Sequence, residues 1–186
     1  MISIADFYNN PDEVRAFAMS QDFGESGNYP GRRTKPFLND STKQVIQDNI
    51  RPFAGEVTFW GDISSGAFQY TTSYDKSWIH SDGVTNWAGV CYLTPDAPLS
   101  AGTGLFRHKK LGIRDYKWAT KEENEASGHF KDYYDLTKWE LVDRIGNVYN
   151  RLILYRGDLF HTSLDYFGMD KQSGRLFQTF FFNTER

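Results

Sequence analysis

Hydrophobic residues recur at helical spacing in the first 55 positions, whereas further along they form short runs that suit strands. Val14, Phe17 and Ala18 fall on one helical face. Asn10 and Pro11 stand just before them, which suits an N-cap followed by the first helical position. The pattern therefore predicts a short helix that begins after Asn10.

A second helix is predicted some twenty residues later. Ser41 and Gln44 have the spacing of a capping box, and apolar residues follow at helical intervals. Pro52 is expected to stop this helix, because proline lacks the backbone N–H that continues the ladder. Between the two helices, residues 27–34 are dense in Gly, Pro and Asn and are predicted to form a loop.

Beyond residue 55, short runs rich in aromatic and β-branched residues alternate with Gly, Asp or Pro turns. Such runs are typical of strands. The predicted strands are 57–60, 67–71, 87–93, 104–107, 139–142, 151–155 and 175–182. Helices first and strands afterwards predict a mainly β (α+β) fold, an antiparallel sandwich or barrel supported by N-terminal helices.

The chain has 186 residues, a length that suits one domain spanning residues 1–186. Within it, residues 1–55 are expected to give helical support and residues 56–186 the β core. Residues 109–136 are charged and short of aliphatic side chains, which indicates a surface insertion. A capping-box pattern inside it predicts a polar helix over 120–126.

The composition of the chain argues against some classes of partner. The net charge is -3, the calculated pI is near 5.8, and no run of Lys or Arg stands out, so no nucleic-acid partner is expected. The single cysteine, Cys91, suits a reducing compartment and a place in the core. No apolar run is long enough to cross a bilayer, so we expect a cytoplasmic protein with no membrane partner. The oligomeric state is left open.

The first chemical candidate is the pair His80 and Asp82, which lies where a predicted strand runs into a turn. Residues i and i+2 of an extended segment point to the same side, so both side chains can face one metal ion. A hydrogen-bonded His–Asp turn is the alternative. The pair by itself does not distinguish a metal site from a hydrogen-bonded turn.

The second candidate is His161, which follows an apolar strand and an Arg-Gly-Asp turn. Added to His80 and Asp82, it would complete two histidines and one carboxylate, the facial triad of non-haem Fe(II) oxygenases. A half-buried histidine bonded to a backbone carbonyl is the alternative.

The third candidate is Arg175, which opens an otherwise apolar and aromatic strand. An arginine that points inward from such a strand needs an anion, because an unpaired buried charge is very costly. The anion is either a protein carboxylate or the distal carboxylate of a bound dicarboxylic acid, which a guanidinium grips bidentately.

These candidates occur in the order His-x-Asp, then His161, then Arg175 fourteen positions on. That order resembles the Fe(II)/2-oxoglutarate-dependent dioxygenases, and within them the prolyl-4-hydroxylase-like branch. Tyr70 and Tyr92 match tyrosines that line or bind 2-oxoglutarate in that branch. Residues 102–106 resemble its Gly-Gly turn and strand.

The resemblance implies a distorted double-stranded β-helix (jelly-roll, cupin-like). It also implies Fe(II) held by His80, Asp82 and His161. The cosubstrates would be 2-oxoglutarate, anchored by Arg175 with Tyr92 and Tyr70, and O2. The implied reaction is hydroxylation of a small-molecule or peptide substrate, with release of succinate and CO2.

The sequence departs from the branch in ways that leave the substrate open. Thr103 replaces the second glycine, and Arg175 stands where many prolyl hydroxylases have lysine. One alternative is a cupin-like metal or small-molecule binding protein without turnover. Another is an interaction module in which the histidine and aspartate set is accidental.

A few other residues are weaker candidates. His108 is expected at a solvated strand end or at the pocket mouth, and His129 is expected to be exposed in the insertion. Arg32 and Arg33 either reach over the pocket to an acidic substrate or form a solvated pair in the loop. We expect the solvated pair.

Overall fold

Ten strands and two α-helices are present in the computed structural model, which describes residues 1–61, 64–83, 85–115 and 129–186. The helices are α1 (Pro11–Ser20) and α2 (Asp40–Ala54). The strands are β1 (Ile2–Ile4), β2 (Arg32–Pro36), β3 (Val57–Trp60), β4 (Ala67–Thr71), β5 (Trp87–Tyr92), β6 (Thr103–His108), β7 (Trp139–Ile145), β8 (Leu152–Arg156), β9 (His161–Ser163) and β10 (Arg175–Thr184).

The strands form two antiparallel sheets. The larger has the order β1-β8-β5-β10-β4-β2, and β3 pairs with the far end of β10. The smaller has the order β7-β6-β9. The inner faces of the two sheets pack together, with Leu105 and Ile145 of the smaller sheet against Val90 and Phe177 of the larger. The predicted mainly β, jelly-roll-like architecture is confirmed.

The outer face of the large sheet is covered by the two helices. Ala18 of α1 and Ile46 of α2 belong to the same core cluster as Phe180 of β10, and all three are fully buried. Burying one such phenylalanine contributes on the order of 1.5–3 kcal/mol to folding. Cys91 lies in this cluster too, fully buried, as expected of a small core residue.

The helix boundaries follow the pattern at α1 and differ from it at α2. Asn39, not Ser41, caps α2, because its Oδ1 accepts the backbone N–H of Thr42 at 2.8 Å. Pro52 lies in the last turn without ending the helix, which stops at Gly55 with a positive φ of 79°. Within the described residues, no helix is long and apolar enough to cross a membrane.

The N-terminal 55 residues also supply two strands. β1 pairs with β8 at one edge of the large sheet, and β2 pairs with β4 at the other. The prediction of a loop over 27–34 is therefore wrong at its end, because β2 begins at Arg32. Because the sequence of β2 is polar, the hydrophobic pattern does not predict it as a strand.

The described ends of the 109–136 region are attached to the β core. The side chain of His108 is buried and bonds Asp132 at 3.0 Å, so neither expectation for it was right. Tyr133 O accepts the backbone N–H of Ile79 at 3.0 Å, next to the first candidate pair. The predicted 120–126 helix and the side chain of His129 lie outside what the structure describes.

Candidate functional site

Backbone pairing brings the His-x-Asp segment against β9. His80 N–H donates to His161 O at 3.0 Å, and His161 N–H donates to His80 O at 2.8 Å. Asp82 N–H donates to Gly157 O at 2.7 Å in the turn before β9. Main-chain hydrogen bonds thus hold together side chains from two segments that are distant in the sequence.

The side chains of His80, Asp82 and His161 each offer one ligand atom, and these atoms lie within 4.8 Å of one another. The Nε2 of His161 is 3.4 Å from Asp82 Oδ2, and the Nε2 of His80 is 3.8 Å from Asp82 Oδ1. The three predicted residues therefore converge on one point. Two imidazole nitrogens and one carboxylate are a donor set that suits Fe(II) with positions left open.

Both imidazoles are oriented by carbonyls two residues earlier in the chain. The Nδ1 atom of His80 is 2.9 Å from Trp78 O, and the Nδ1 atom of His161 is 2.8 Å from Leu159 O. A carbonyl can only accept, so each Nδ1 carries the proton. Both Nε2 atoms then carry a lone pair and lie 3.4 to 3.8 Å from the carboxylate of Asp82. In metal sites, hydrogen bonds from the other ring nitrogen fix the tautomer of a ligating histidine in the same way.

The electrostatics of the cluster also favour a cation. Burial, and then the neighbouring imidazole of His161, lower the pKa of His80 to about 4, while the carboxylate of Asp82 opposes the shift. His80 is therefore neutral at physiological pH, which is the form that binds metals. Oδ2 of Asp82 is buried without a hydrogen-bond partner. A buried carboxylate oxygen without a partner is costly, and a cation would compensate it.

Arg175 is buried in the same pocket, with 1% of its surface exposed. Its Nε donates to Ala101 O at 2.9 Å, and its guanidinium lies over the ring of Phe177 at 4.4 Å. Nη1 is buried without a hydrogen-bond partner, and Arg175 forms no ion pair with any described Asp or Glu. The protein-carboxylate alternative for Arg175 therefore finds no support in the described part of the chain.

Tyr166 was missed by the sequence analysis. Its hydroxyl is buried without a hydrogen-bond partner, and the residue lines the pocket that contains Arg175. Burial raises the pKa of the Tyr166 hydroxyl, and the nearby Ser77 and the charge of Arg175 oppose the rise. The residue lies in the loop after β9, where no periodic pattern marks it.

Tyr155 is a second tyrosine that the sequence reading did not select. It lines the pocket, and its ring packs edge-on against His161 with centroids 4.8 Å apart. Burial, and then the carboxylate of Asp82, raise its pKa well above the usual range. Tyr155 therefore presents a neutral hydroxyl beside the histidine and carboxylate cluster.

The two predicted tyrosines are placed differently. The hydroxyl of Tyr92 bonds Thr103 Oγ1 at 2.8 Å beside Arg175, and Thr103 lines the pocket. Tyr70 faces the opposite side of the sheet, where its ring packs against Phe23. The expected role of Tyr70 in the pocket is therefore not supported.

The arginine pair of β2 is divided between the pocket and the solvent. Arg33 is buried in the pocket, whereas Arg32 is exposed outside it. The expectation of a solvated pair is wrong for Arg33. Arg33 is register partner to Gln69 of β4, whose side chain faces the pocket. The parity of β2 explains the difference, because successive residues of a strand point to opposite faces.

Comparison with known proteins gives a family without an assigned activity and a shared fold. The model of a family of unknown function (DUF6445) matches residues 1–182. No curated protein matches the sequence.

Among solved structures, HygX from Streptomyces hygroscopicus with nickel, 2-oxoglutarate and hygromycin B bound is similar at 13% identity and a TM-score of 0.55. The match covers 96% of this chain and 80% of HygX. HygX with nickel and 2-oxoglutarate gives a TM-score of 0.57 at the same identity and coverage. A Pseudomonas putida prolyl-4-hydroxylase is 12% identical with a TM-score of 0.47, over 98% of this chain and 91% of that one. At these identities the likeness to HygX shows the fold alone.

Proposed function

The chain belongs to the family of unknown function DUF6445, and we propose that it is an Fe(II)- and 2-oxoglutarate-dependent dioxygenase. The observation that carries the proposal is one pocket containing a histidine, aspartate and histidine cluster together with a buried arginine. Among the described residues that arginine has no anionic partner. A simple metal-binding protein would need the cluster and would have no use for the arginine.

His80, Asp82 and His161 would hold the iron. One ligand atom from each lies within 4.8 Å of the other two, so binding would require little rearrangement of the side chains. The buried oxygen of Asp82 would gain the cation that it lacks. The solved HygX structures contain nickel and 2-oxoglutarate in the same fold, which supports assigning these cofactors here.

Arg175 would bind the distal carboxylate of 2-oxoglutarate. Its partnerless Nη1 and the partnerless hydroxyl of Tyr166 are two donors in one pocket, and carboxylate oxygens would satisfy both. The ring of Tyr92, whose hydroxyl bonds Thr103, would pack against the guanidinium. Tyr70 is not part of this set.

Bound iron and 2-oxoglutarate would together supply an O2-dependent hydroxylation in which 2-oxoglutarate becomes succinate and CO2. The protein's own residues would hold both groups in a fixed relative position. Tyr155 and the two backbone carbonyls keep the imidazoles from rotating. We include the prolyl-4-hydroxylase-like relationship in the proposal, with a peptide, an amino acid or a small metabolite as substrate.

The proposal is tested by succinate formation and by removal of the arginine. Wild-type protein with Fe(II), 2-oxoglutarate and O2 should release succinate slowly even without the prime substrate. Arg175→Ala should weaken 2-oxoglutarate binding about 10- to 150-fold, since a charge-assisted contact contributes about 1.5–3 kcal/mol. Metal affinity, measured by calorimetry, should be unchanged.

Arg107→Ala is the matched control, because Arg107 is an exposed arginine of β6 that pairs with Glu140 on the surface. It should leave both affinities unchanged. Equal loss of metal and 2-oxoglutarate binding in Arg175→Ala would make Arg175 a structural residue. Binding of both ligands without any succinate would favour the cupin-like binding protein.

A further inference from the structure

A second buried arginine lies in the pocket and has no role in the mechanism above. Arg33 is 8% exposed and stacks over the ring of Tyr29 at 3.8 Å. Its Nε donates to Gln69 Oε1 at 2.9 Å, and its Nη1 donates to Ser64 Oγ at 2.9 Å. Gln69 in turn donates to Pro30 O. The guanidinium is therefore held in a fixed position by neutral groups.

The hydrogen bonds of Arg33 leave part of its donor capacity free. A guanidinium has five N–H donors, and three of those of Arg33 are used, two by Gln69 Oε1 and one by Ser64 Oγ. Arg33 forms no ion pair with an Asp or Glu in the described ranges. Burial lowers its pKa to about 10, against the effects of Tyr29 and Asp82, so it stays charged at neutral pH. A charge desolvated to this degree without a counter-ion is costly.

The position of Arg33 separates it from the carboxylate site at Arg175. Thr71 is the register partner of Arg175, whereas Gln69, which holds Arg33, is the partner of Phe177. These positions are two residues apart, or about 7 Å along the sheet. Arg33 lies one strand further out than Gln69. One end of 2-oxoglutarate would lie at Arg175 and the other at the iron, so Arg33 would remain without an anion.

We infer that Arg33 binds a carboxylate of the prime substrate and selects acidic substrates over neutral ones. This inference rests on the proposed function and narrows it to one substrate class. The alternative is that Arg33 is purely structural and only holds the Tyr29 loop against Gln69. Only the first role makes the protein prefer acidic ligands to neutral ones.

The test is a binding screen with matched ligand pairs. Protein loaded with Mn(II) and 2-oxoglutarate is titrated by calorimetry with N-acetyl amino acids and N-acetyl dipeptides. Each compound is offered as the free C-terminal acid and as the carboxamide, which has similar size and no charge. Acids that bind wild-type protein should do so at least about tenfold more tightly than their amides.

Three variants test separately the charge of Arg33, the planar shape of its guanidinium and its position in the pocket. Arg33→Met should reduce the affinity for each acid to that of its amide. Arg33→Lys should keep part of the preference, because it retains the charge and loses the planar fork. Arg32→Met removes the same charge one residue away on the exposed face and should change nothing. Affinity for 2-oxoglutarate should be unchanged in all three, which also shows that they are folded.

The inference is overturned if no acid binds wild-type protein more tightly than its amide, or if Arg33→Met keeps the preference. It is also overturned if Arg33→Met weakens 2-oxoglutarate as much as it weakens the acids. Failure of the proposed function gives a different result, because wild-type protein would then bind no 2-oxoglutarate, or would bind it and release no succinate.

Discussion

The two faces of β10 have different functions, one in the core and one in the pocket. On the helix side, Leu176, Phe180 and Phe182 are fully buried in the core. On the inner side, Arg175 and Phe177 line the pocket. Because consecutive residues of a strand face opposite ways, one ten-residue segment supports the core and builds the site at once.

The polar residues on these two faces differ in whether the protein satisfies their hydrogen bonds. Gln178 on the helix side donates to Gly66 O at 2.8 Å and accepts from Tyr8, so its amide is satisfied within the protein. Arg175 on the inner side has a buried nitrogen without a partner. Buried polar groups are nearly always paired, so an unpaired guanidinium nitrogen in the pocket supports the proposal that a ligand binds there.

The largest contrast expected between the faces is in stability. Phe180→Ala should lower the free energy of unfolding by about 3–5 kcal/mol, because it leaves a cavity between the helices and the large sheet. Phe181→Ala, one residue along and partly exposed towards the pocket, should cost about 1 kcal/mol. Urea denaturation followed by circular dichroism measures both. Equal losses would mean that Phe181 is packed as tightly as Phe180.

The next largest effect is on metal affinity, and it should distinguish two buried histidines, His161 and His108. His161→Ala should lower Mn(II) affinity by about 100-fold or more, since even residues behind the ligands can cost 10- to 100-fold. His108→Gln removes a histidine that bonds Asp132, and it should reduce stability while leaving Mn(II) affinity unchanged. Calorimetry with Mn(II) gives the affinities. A loss of metal binding in the second variant would tie the 109–136 region to the site.

The smallest effect comes from removing one hydroxyl on either face. Tyr166→Phe should weaken 2-oxoglutarate binding about 3- to 10-fold, as expected for a single hydrogen bond of about 0.5–1.5 kcal/mol. Tyr70→Phe makes the same deletion on the helix side and should leave this affinity unchanged. The reverse result would return Tyr70 to the pocket and exclude Tyr166 from it.

Much of the framework was predictable because it depends on local patterns. Alternating aromatic and β-branched runs located seven of the strands, and the spacing of His80, Asp82 and His161 predicted a group that the structure brings together. The strands that were missed are β1, β2 and β9. They are short, or polar in the case of β2, so their hydrogen bonds with neighbours hold them and hydrophobic patterning does not reveal them.

The composition of the pocket was harder to predict because it depends on strand parity and on pairing between distant segments. Tyr70 has a suggestive distance from His80, yet it is the register partner of Leu176 and shares its outward direction. Gln69, one residue earlier, faces inward and positions Arg33. Tyr166 comes from a loop, and only the folded chain brings it near Arg175.

The central claim is that one pocket binds Fe(II) and 2-oxoglutarate together, and anaerobic absorption spectroscopy tests it most directly. Titration of 2-oxoglutarate into Fe(II)-loaded wild-type protein should give a weak, saturable metal-to-ligand charge-transfer band in the visible. The band should require His161 and should need higher 2-oxoglutarate concentrations in Arg175→Ala. Absence of the band in wild-type protein, together with no calorimetric binding of 2-oxoglutarate, would contradict the account.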